Sequence, residues 1–295
     1  VSAQVSSMTG FARVTGEADW GSWAFEAKSV NGRSLDVRVN VPGGFEEVER
    51  AVKQTASKLF ARGNLQIGLR IEVAGGAETL SVNHDALQQL LRDFEKASGH
   101  AADRGAIASL MGIKGVVETG QSSTRAVASD EVVSALRAGG DELIGQLNKA
   151  RLEEGGALNE MLSGYLDEME RAVAQAEALA GDQPKLLKAR LEKQLAELEA
   201  SDKVDGERLA AEIALSVAKA DVREELDRLR AHIESARGLL EQGGPIGRKL
   251  DFLSQEFNRE ANTLCSKSAS LDLTNAGLAL KGLVDQFKEQ AANVE

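Results

Sequence analysis

Cysteine occurs once in the 295 residues, at Cys265, proline three times and tyrosine once. A lone cysteine excludes an internal disulfide and a multi-cysteine zinc site within one chain, and it fits a reducing cytoplasm. With so few prolines, helices are free to run long. No apolar run approaches the roughly 18–20 residues of a membrane-spanning helix, and residues 1–11 lack the basic-then-apolar pattern of a secretory signal. Basic excess is missing too: 35 Lys and Arg stand against 46 Asp and Glu, a formal net charge of -11. A uniformly basic nucleic-acid binder is thereby excluded, because phosphate contacts need a local cation excess. A confined basic groove is not. GxSxG hydrolase motifs are absent. Hydrophobic residues at 42% and charged residues at 27% are the balance of a globular protein large enough for one big domain or two ordinary ones.

The aromatics and the charge divide the chain. Six of the aromatic residues (Phe11, Trp20, Trp23, Phe25, Phe45 and Phe60) lie within residues 1–75, where basic and acidic residues nearly balance. The acidity belongs to the remainder. In the first part, Leu35, Val37, Val39 and Val41 alternate with polar residues, as do Trp23, Phe25 and Ala27. Leu65, Ile67, Leu69, Ile71 and Val73 make a third such run. This period of two predicts half-buried strands, with a less regular one over 7–15. Asn31-Gly32 predicts a hairpin between its flanking strands. Phe45, Val48, Val52, Ala56, Leu59 and Phe60 follow helical spacing, with Gly63 as the expected C-terminal cap. Another helix is expected over 81–97, capped by Asn83 or Ser81.

Residues 98–130 are rich in Gly, Ser and Ala and read as a mixed loop with short helical pieces. Beyond them helix formers dominate. Helices are expected over 131–179, 185–199 (with Pro184 at its start), 206–242, 247–266 and 272–293. The fold class is therefore α+β: a small N-terminal sheet-plus-helix module (1–97), a hinge (98–130) and a C-terminal domain of long antiparallel helical hairpins (131–295).

Chemistry concentrates in the last third. On one helix over 206–242, Asp221, Glu225 and His232 would share a stripe, since eleven residues return to within roughly 20° of the start. Two carboxylates and an imidazole suit Mn²⁺ or Mg²⁺. Ion pairing of Asp221, Glu224 and Glu225 with Arg228 and Lys219 on a solvated face explains the same spacing. The following helix has a core stripe of Leu250, Leu253, Phe257, Ala261 and Leu264. Beside it stand Glu256, Arg259, Glu260, Thr263 and Lys267, with Gln255, Asn258 and Asn262 alongside. Metal-assisted phosphodiester cleavage needs such a mixture, carboxylates for the ion and cations or amides to steady the phosphate. A salt-bridge ladder, Glu256 with Arg259 and Glu260 with Lys267, is the competing explanation. Gly243 to Lys249 forms a Gly-rich turn with Arg248 and Lys249 at a helix start, without P-loop spacing. The strand faces offer Arg13, Arg33, Arg38, Gln66 and Arg70 for backbone contacts, with no pair of stacked aromatics of the RRM type. Cys265 reads as a small core thiol.

Taken together these residues resemble the YicC/YloC family. The resemblance is carried by Ser7-Met8-Thr9-Gly10-Phe11 and by Ser29-Val30-Asn31-Gly32-Arg33-Ser34-Leu35-Asp36. It is carried further by the run from Asp221 to Leu229 with His232, by Gly247-Arg248-Lys249-Leu250-Asp251-Phe252-Leu253, and by Gln255-Glu256-Phe257-Asn258-Arg259-Glu260-Ala261-Asn262-Thr263-Leu264 with Ser266-Lys267. Departures are Gly32, where relatives often carry a His- or Lys-like residue, and Ala231 in place of serine. The resemblance implies a bacterial cytoplasmic endoribonuclease that needs a divalent metal and acts in RNA turnover. It implies RNA and further copies of the chain, as a hexameric ring, for partners, and other RNA-degradation enzymes beside them, with no membrane. Within the matching motifs, chemistry assigns the metal to His232, Glu256 and Glu260 with Asp221 and Glu225 in support. Arg259 and Lys267 would complete the catalytic set, and Arg33, Arg38, Arg248, Lys249, Asn258 and Asn262 would hold RNA. A non-catalytic RNA-binding adaptor and a helical scaffold without nucleic acid are the alternatives.

Overall fold

The computed structural model describes residues 4–74, 79–120, 129–197 and 206–295. The Ser81 cap, residues 121–128 of the Gly-, Ser- and Ala-rich stretch and the expected helix end at 198–199 lie outside the described side chains or residues. The architecture is α+β, a small sheet followed by a mostly helical remainder.

Alternation produces the sheet. Strands β1 (Gly10–Ala18), β2 (Gly21–Val30), β3 (Leu35–Asn40) and β4 (Gly63–Val73) lie in the order β1-β2-β4-β3. The first three in that order pair antiparallel, and β3 runs parallel to β4. Helix α1 (Glu46–Leu59) makes the crossover between β3 and β4. It buries Val48, Val52 and Ala56, the predicted stripe.

Two expectations are corrected here. Asn31-Gly32 does not close a hairpin, because β4 stands between β2 and β3. Gly32 is glycine for a different reason: a β-carbon there would meet the backbone of Ser34 and Gly63 at 2.9–3.0 Å. Nor does Gly63 cap α1, whose cap is the extended Phe60; Gly63, at φ +119°, instead opens β4. A small antiparallel pair, β5 (Thr79–Val82) and β6 (Val117–Gly120), frames α2 (His84–Ser98) and α3 (Arg104–Met111). Asn83 caps α2, accepting from the Ala86 N–H at 3.1 Å.

Helix α4 (Asp130–Ala180) is 51 residues long, about 75 Å at 1.5 Å per residue. It belongs to both cores. Val132, Leu136, Leu143, Ile144 and Leu147 pack with the inner sheet face and α1. Its second half, from Leu158 to Ala176, packs on the C-terminal helices. Between the two cores lies Arg151, fully buried. Residues near the start run beside it and meet the other end of the chain: Met8 N–H donates to the Asn293 carbonyl at 2.7 Å, and Glu295 N–H to the Ser6 carbonyl at 2.9 Å.

The remaining helices are α5 (Gln183–Glu197), α6 (Gly206–Lys219), α7 (Arg223–Gln242), α8 (Gly247–Lys267) and α9 (Leu271–Ala291). The single helix expected over 206–242 is therefore two, broken at 220–222. The cause is local and tertiary at once. Asp221 turns its carboxylate onto the Arg223 N–H (3.0 Å), the short-side-chain bond that competes with helix. The Ala220 carbonyl accepts from Gln183 Nε2 (2.7 Å), and the Asp221 carbonyl from Lys267 Nζ (3.1 Å). No described helix is long and apolar enough to cross a membrane.

Candidate metal centre

The site is built by the α7–α8 hairpin. Gly243 and Gly244 adopt φ of +65° and +74°, which reverses the chain over a few residues. Both helices then turn their apolar stripes to one core: Leu226, Leu229, Ile233 and Ala236 from α7, and Leu250, Leu253, Phe257, Ala261 and Leu264 from α8. Polar residues next to those stripes must face each other across the seam. His232 and Glu256 each stand twelve positions from Gly244, and Arg228 and Glu260 sixteen, so each pair falls at one height.

His232, Glu256 and Glu260 each offer a ligand atom, and these atoms lie within 4.8 Å of one another. His232 and Glu256 are half-buried and Glu260 is buried, 2% exposed. The imidazole stands edge-on to Phe257, with centroids 6.1 Å apart and planes at 87°, and Phe257 stands edge-on to Phe287 of α9. The ring is thus seated on the core rather than free in solvent. Arg228 reaches the Glu260 carboxylate at 3.5 Å and also pairs with Glu224. Glu256 is 3.8 Å from Arg259 on its own helix. One imidazole nitrogen and two carboxylates, partly desolvated, are a donor set for a divalent cation such as Mn²⁺.

Asp221 and Glu225 are not brought into this cluster. The helix break removes Asp221 from the stripe, and it forms a close pair with Arg223. The side-chain and backbone hydrogen bonds of Arg223 push its pKa down to about 2. A depressed carboxylate stabilises the fold above its ordinary pKa, and that contribution is lost only as pH falls toward 2. Glu225, 4% exposed, accepts from Lys267 Nζ at 2.8 Å through Oε1, while its buried Oε2 has no hydrogen-bond partner among the described residues. Lys267 therefore serves Glu225 and the Asp221 carbonyl, not Glu260 as the ladder expectation had it. Substituting Lys267 by alanine is expected to strand the buried Glu225 carboxylate and cost about 2–4 kcal/mol. Urea denaturation reads this, and Lys267→Met combined with Glu225→Gln should recover much of it. An unchanged midpoint in the single variant would refute the pairing.

The expected RNA contacts are dispersed. Asn262 donates to Asn258 at 2.7 Å along α8, and Arg259 is exposed on the same helix. Arg248 and Lys249 are exposed at the start of α8, where with Arg62 and Phe252 they line a depression of about 770 Å³. Arg33 is exposed in the β2–β3 connection, and Arg38, on β3, is bonded to Asp36 at 3.0 Å. Burial raises the Cys265 thiol pKa, with Lys281 opposing. Two participants had escaped the sequence: Arg228 as a cross-helix partner of Glu260, and Phe257 as the seat of His232. Counting outward from the glycine turn would have found the first.

Comparison with known proteins covers the whole region. Residues 5–160 match the family model for the N-terminal region of YicC-like endoribonucleases, and residues 176–295 match the C-terminal one. A Haemophilus influenzae protein named probable endoribonuclease YicC is 32% identical over 294 residues, 99% of this chain and 100% of the relative. A Clostridioides difficile protein of the same name is 26% identical over 291 residues, 98% and 99% of the two chains.

Proposed function

Since the chain belongs to the YicC-like endoribonuclease family, we propose that it cleaves RNA internally at the α7–α8 hairpin, with a divalent metal held by His232, Glu256 and Glu260. The observation that carries this reading is the convergence of those three ligand atoms within 4.8 Å, inside the C-terminal family region. A bound Mn²⁺ or Mg²⁺ supplies Lewis-acid stabilisation of charge on the phosphodiester and acidifies water at neutral pH.

The chain's own residues do the rest. Phe257 fixes the plane of the His232 ring. Arg228 holds Glu260 extended toward His232 and Glu256, at the cost of competing for its charge. Arg259, exposed beside Glu256, meets the phosphate, and Asn258 and Asn262 give it amide donors. Arg248 and Lys249 grip the RNA backbone as point charges. Lys267, Glu225 and Asp221 form a neighbouring cluster that fixes the α6–α7 break. The protein works as a homo-oligomer in the bacterial cytoplasm, in RNA turnover. Support for the oligomer comes from α2, α3 and α6, in which no residue is more than half-buried within one chain.

The test is incubation of the pure protein with 5′-labelled RNA in Mn²⁺ and in chelator. Internal cleavage in Mn²⁺, abolished by chelator, is the expected result. Binding without cleavage in either condition would replace this reading with an RNA-binding adaptor, and no binding at all would remove RNA from the account.

A further inference from the structure

The outer face of the four-stranded sheet carries chemistry that the His232 cluster does not use. Strand register sets Phe11 opposite Lys28, Lys28 opposite Gln66, and Arg38 beside Gln66. One transverse row thus crosses all four strands as aromatic, cation, carboxamide and cation. At ~4.8 Å between strands the row is about 14 Å long. In the adjoining row Gly68 meets no atom where a side chain would stand, which opens a depression of about 560 Å³ over the sheet. Phe11, on the edge strand β1, is 60% exposed.

The charges around this depression favour an anion. Its charged lining is Lys28, Arg38, Arg70 and one acid, Glu26. Glu26 is in ion-pair range of Arg13 at 3.6 Å, and Arg38 is bonded to Asp36 at 3.0 Å. Lys28 and Arg70 have no ion-pair partner among the described residues, in a chain of net charge -11. An exposed aromatic beside unpaired cations and amides is the combination that unstacked bases and their phosphates need, and four-stranded sheets accommodate roughly two or three bases.

We infer that this sheet face is a platform for single-stranded RNA, with one base stacked on Phe11, Gln66 reading a base edge, and Lys28, Arg38 and Arg70 holding phosphates. The inference rests on the RNA-cleaving function proposed above and places a substrate-holding surface on the N-terminal module. Duplex RNA does not fit this platform, since its bases are already stacked on one another.

The experiment is fluorescence anisotropy of a 5′-fluorescein 12-nucleotide oligouridylate with the full chain in EDTA, where metal-dependent cleavage is off. Phe11→Ala should weaken binding roughly 5- to 100-fold, while Phe11→Trp holds it near wild type. Lys28→Ala should lower the slope of log affinity against log salt by about 0.7. Ultraviolet cross-linking should place nucleotide adducts on peptides containing Phe11 or Lys28. Wild-type affinity and salt slope in both alanine variants, with wild-type protein that binds and cuts RNA, would overturn the platform alone. Equal affinity for the oligouridylate paired with oligoadenylate, or a changed sedimentation mass in Phe11→Ala, would also overturn it. The latter outcome would assign the face to another copy of the chain. Wild-type protein that neither binds nor cuts RNA would remove the functional reading and the platform together.

Discussion

Replacing Glu260 by glutamine is expected to slow RNA cleavage by orders of magnitude and to leave the fold in place. Glutamine keeps the shape of the side chain and an oxygen that still accepts from Arg228, which approaches at 3.5 Å in the native protein. The negative charge is lost, and with it one of the three converging donors. If Lewis-acid stabilisation contributes several kcal/mol, the loss in single-turnover rate is roughly 10²- to 10³-fold. His232→Ala should do the same through the imidazole, and Mn²⁺ affinity measured calorimetrically should fall in both variants. Glu234→Gln, on the exposed side of the same helix as His232, serves as the control and stays near wild type. Wild-type cleavage in Glu260→Gln, or Mn²⁺ affinity unchanged in both site variants, would move the metal elsewhere. Removing Arg228 separates the competing effects of that cation. Arg228→Met takes away the competitor for Glu260, so Mn²⁺ binds more tightly if the pairing is inhibitory and more weakly if it is orienting.

How much of this was legible beforehand depended on whether the determinant was periodic. The α8 stripe from Leu250 to Leu264 is buried as its spacing required. The equal distances of His232 and Glu256 from Gly244 along the sequence put them at one height. Strand alternation identified β2, β3 and β4, but it is blind to partner choice: nothing in the alternation of Leu35, Val37 and Val39 distinguishes pairing with β2 from parallel pairing with β4. The break at Ala220 was illegible for a related reason. Asp221 supplies one local bond, to the Arg223 N–H, but the other bonds that stop the helix come from Gln183, 37 positions from Ala220, and Lys267, 46 positions from Asp221. Periodicity sees neighbours on one element; it does not see a carbonyl claimed from another.

Arg151 is the extreme case, an arginine in a helix-forming run that turns out to be wholly buried, and its loss is expected to cost the most stability. Its Nε donates to the Ser7 carbonyl at 2.5 Å, and its Nη2 lies 3.2 Å from both the Arg62 carbonyl and the Glu295 carboxylate. Its guanidinium sits 4.5 Å over the Phe60 ring. Glu295 in turn accepts from the Ala61 and Arg62 N–H groups, and its carbonyl accepts from Gly247 at the start of α8 at 2.8 Å. One side chain therefore ties the chain's two ends, the α1–β4 turn and the helix that carries Glu256. Burial lowers the Arg151 pKa, and the charges of Glu295 and Glu154 oppose that; the guanidinium stays charged, so its burial has to be offset by these partners. Arg151→Leu leaves the Glu295 carboxylate, 7% exposed, without its counter-charge. The expected loss is about 3–5 kcal/mol, a fall in melting temperature of roughly 5–8 °C by circular dichroism. Adding Glu295→Gln to Arg151→Leu should recover part of it, because a neutral amide oxygen still accepts from Ala61 and Arg62 without needing a cation. Glu295→Gln alone should be the milder single change. If Arg151→Leu melts with the wild type, or if the double variant is no better than the single, the buried charge pair is not what joins the two cores.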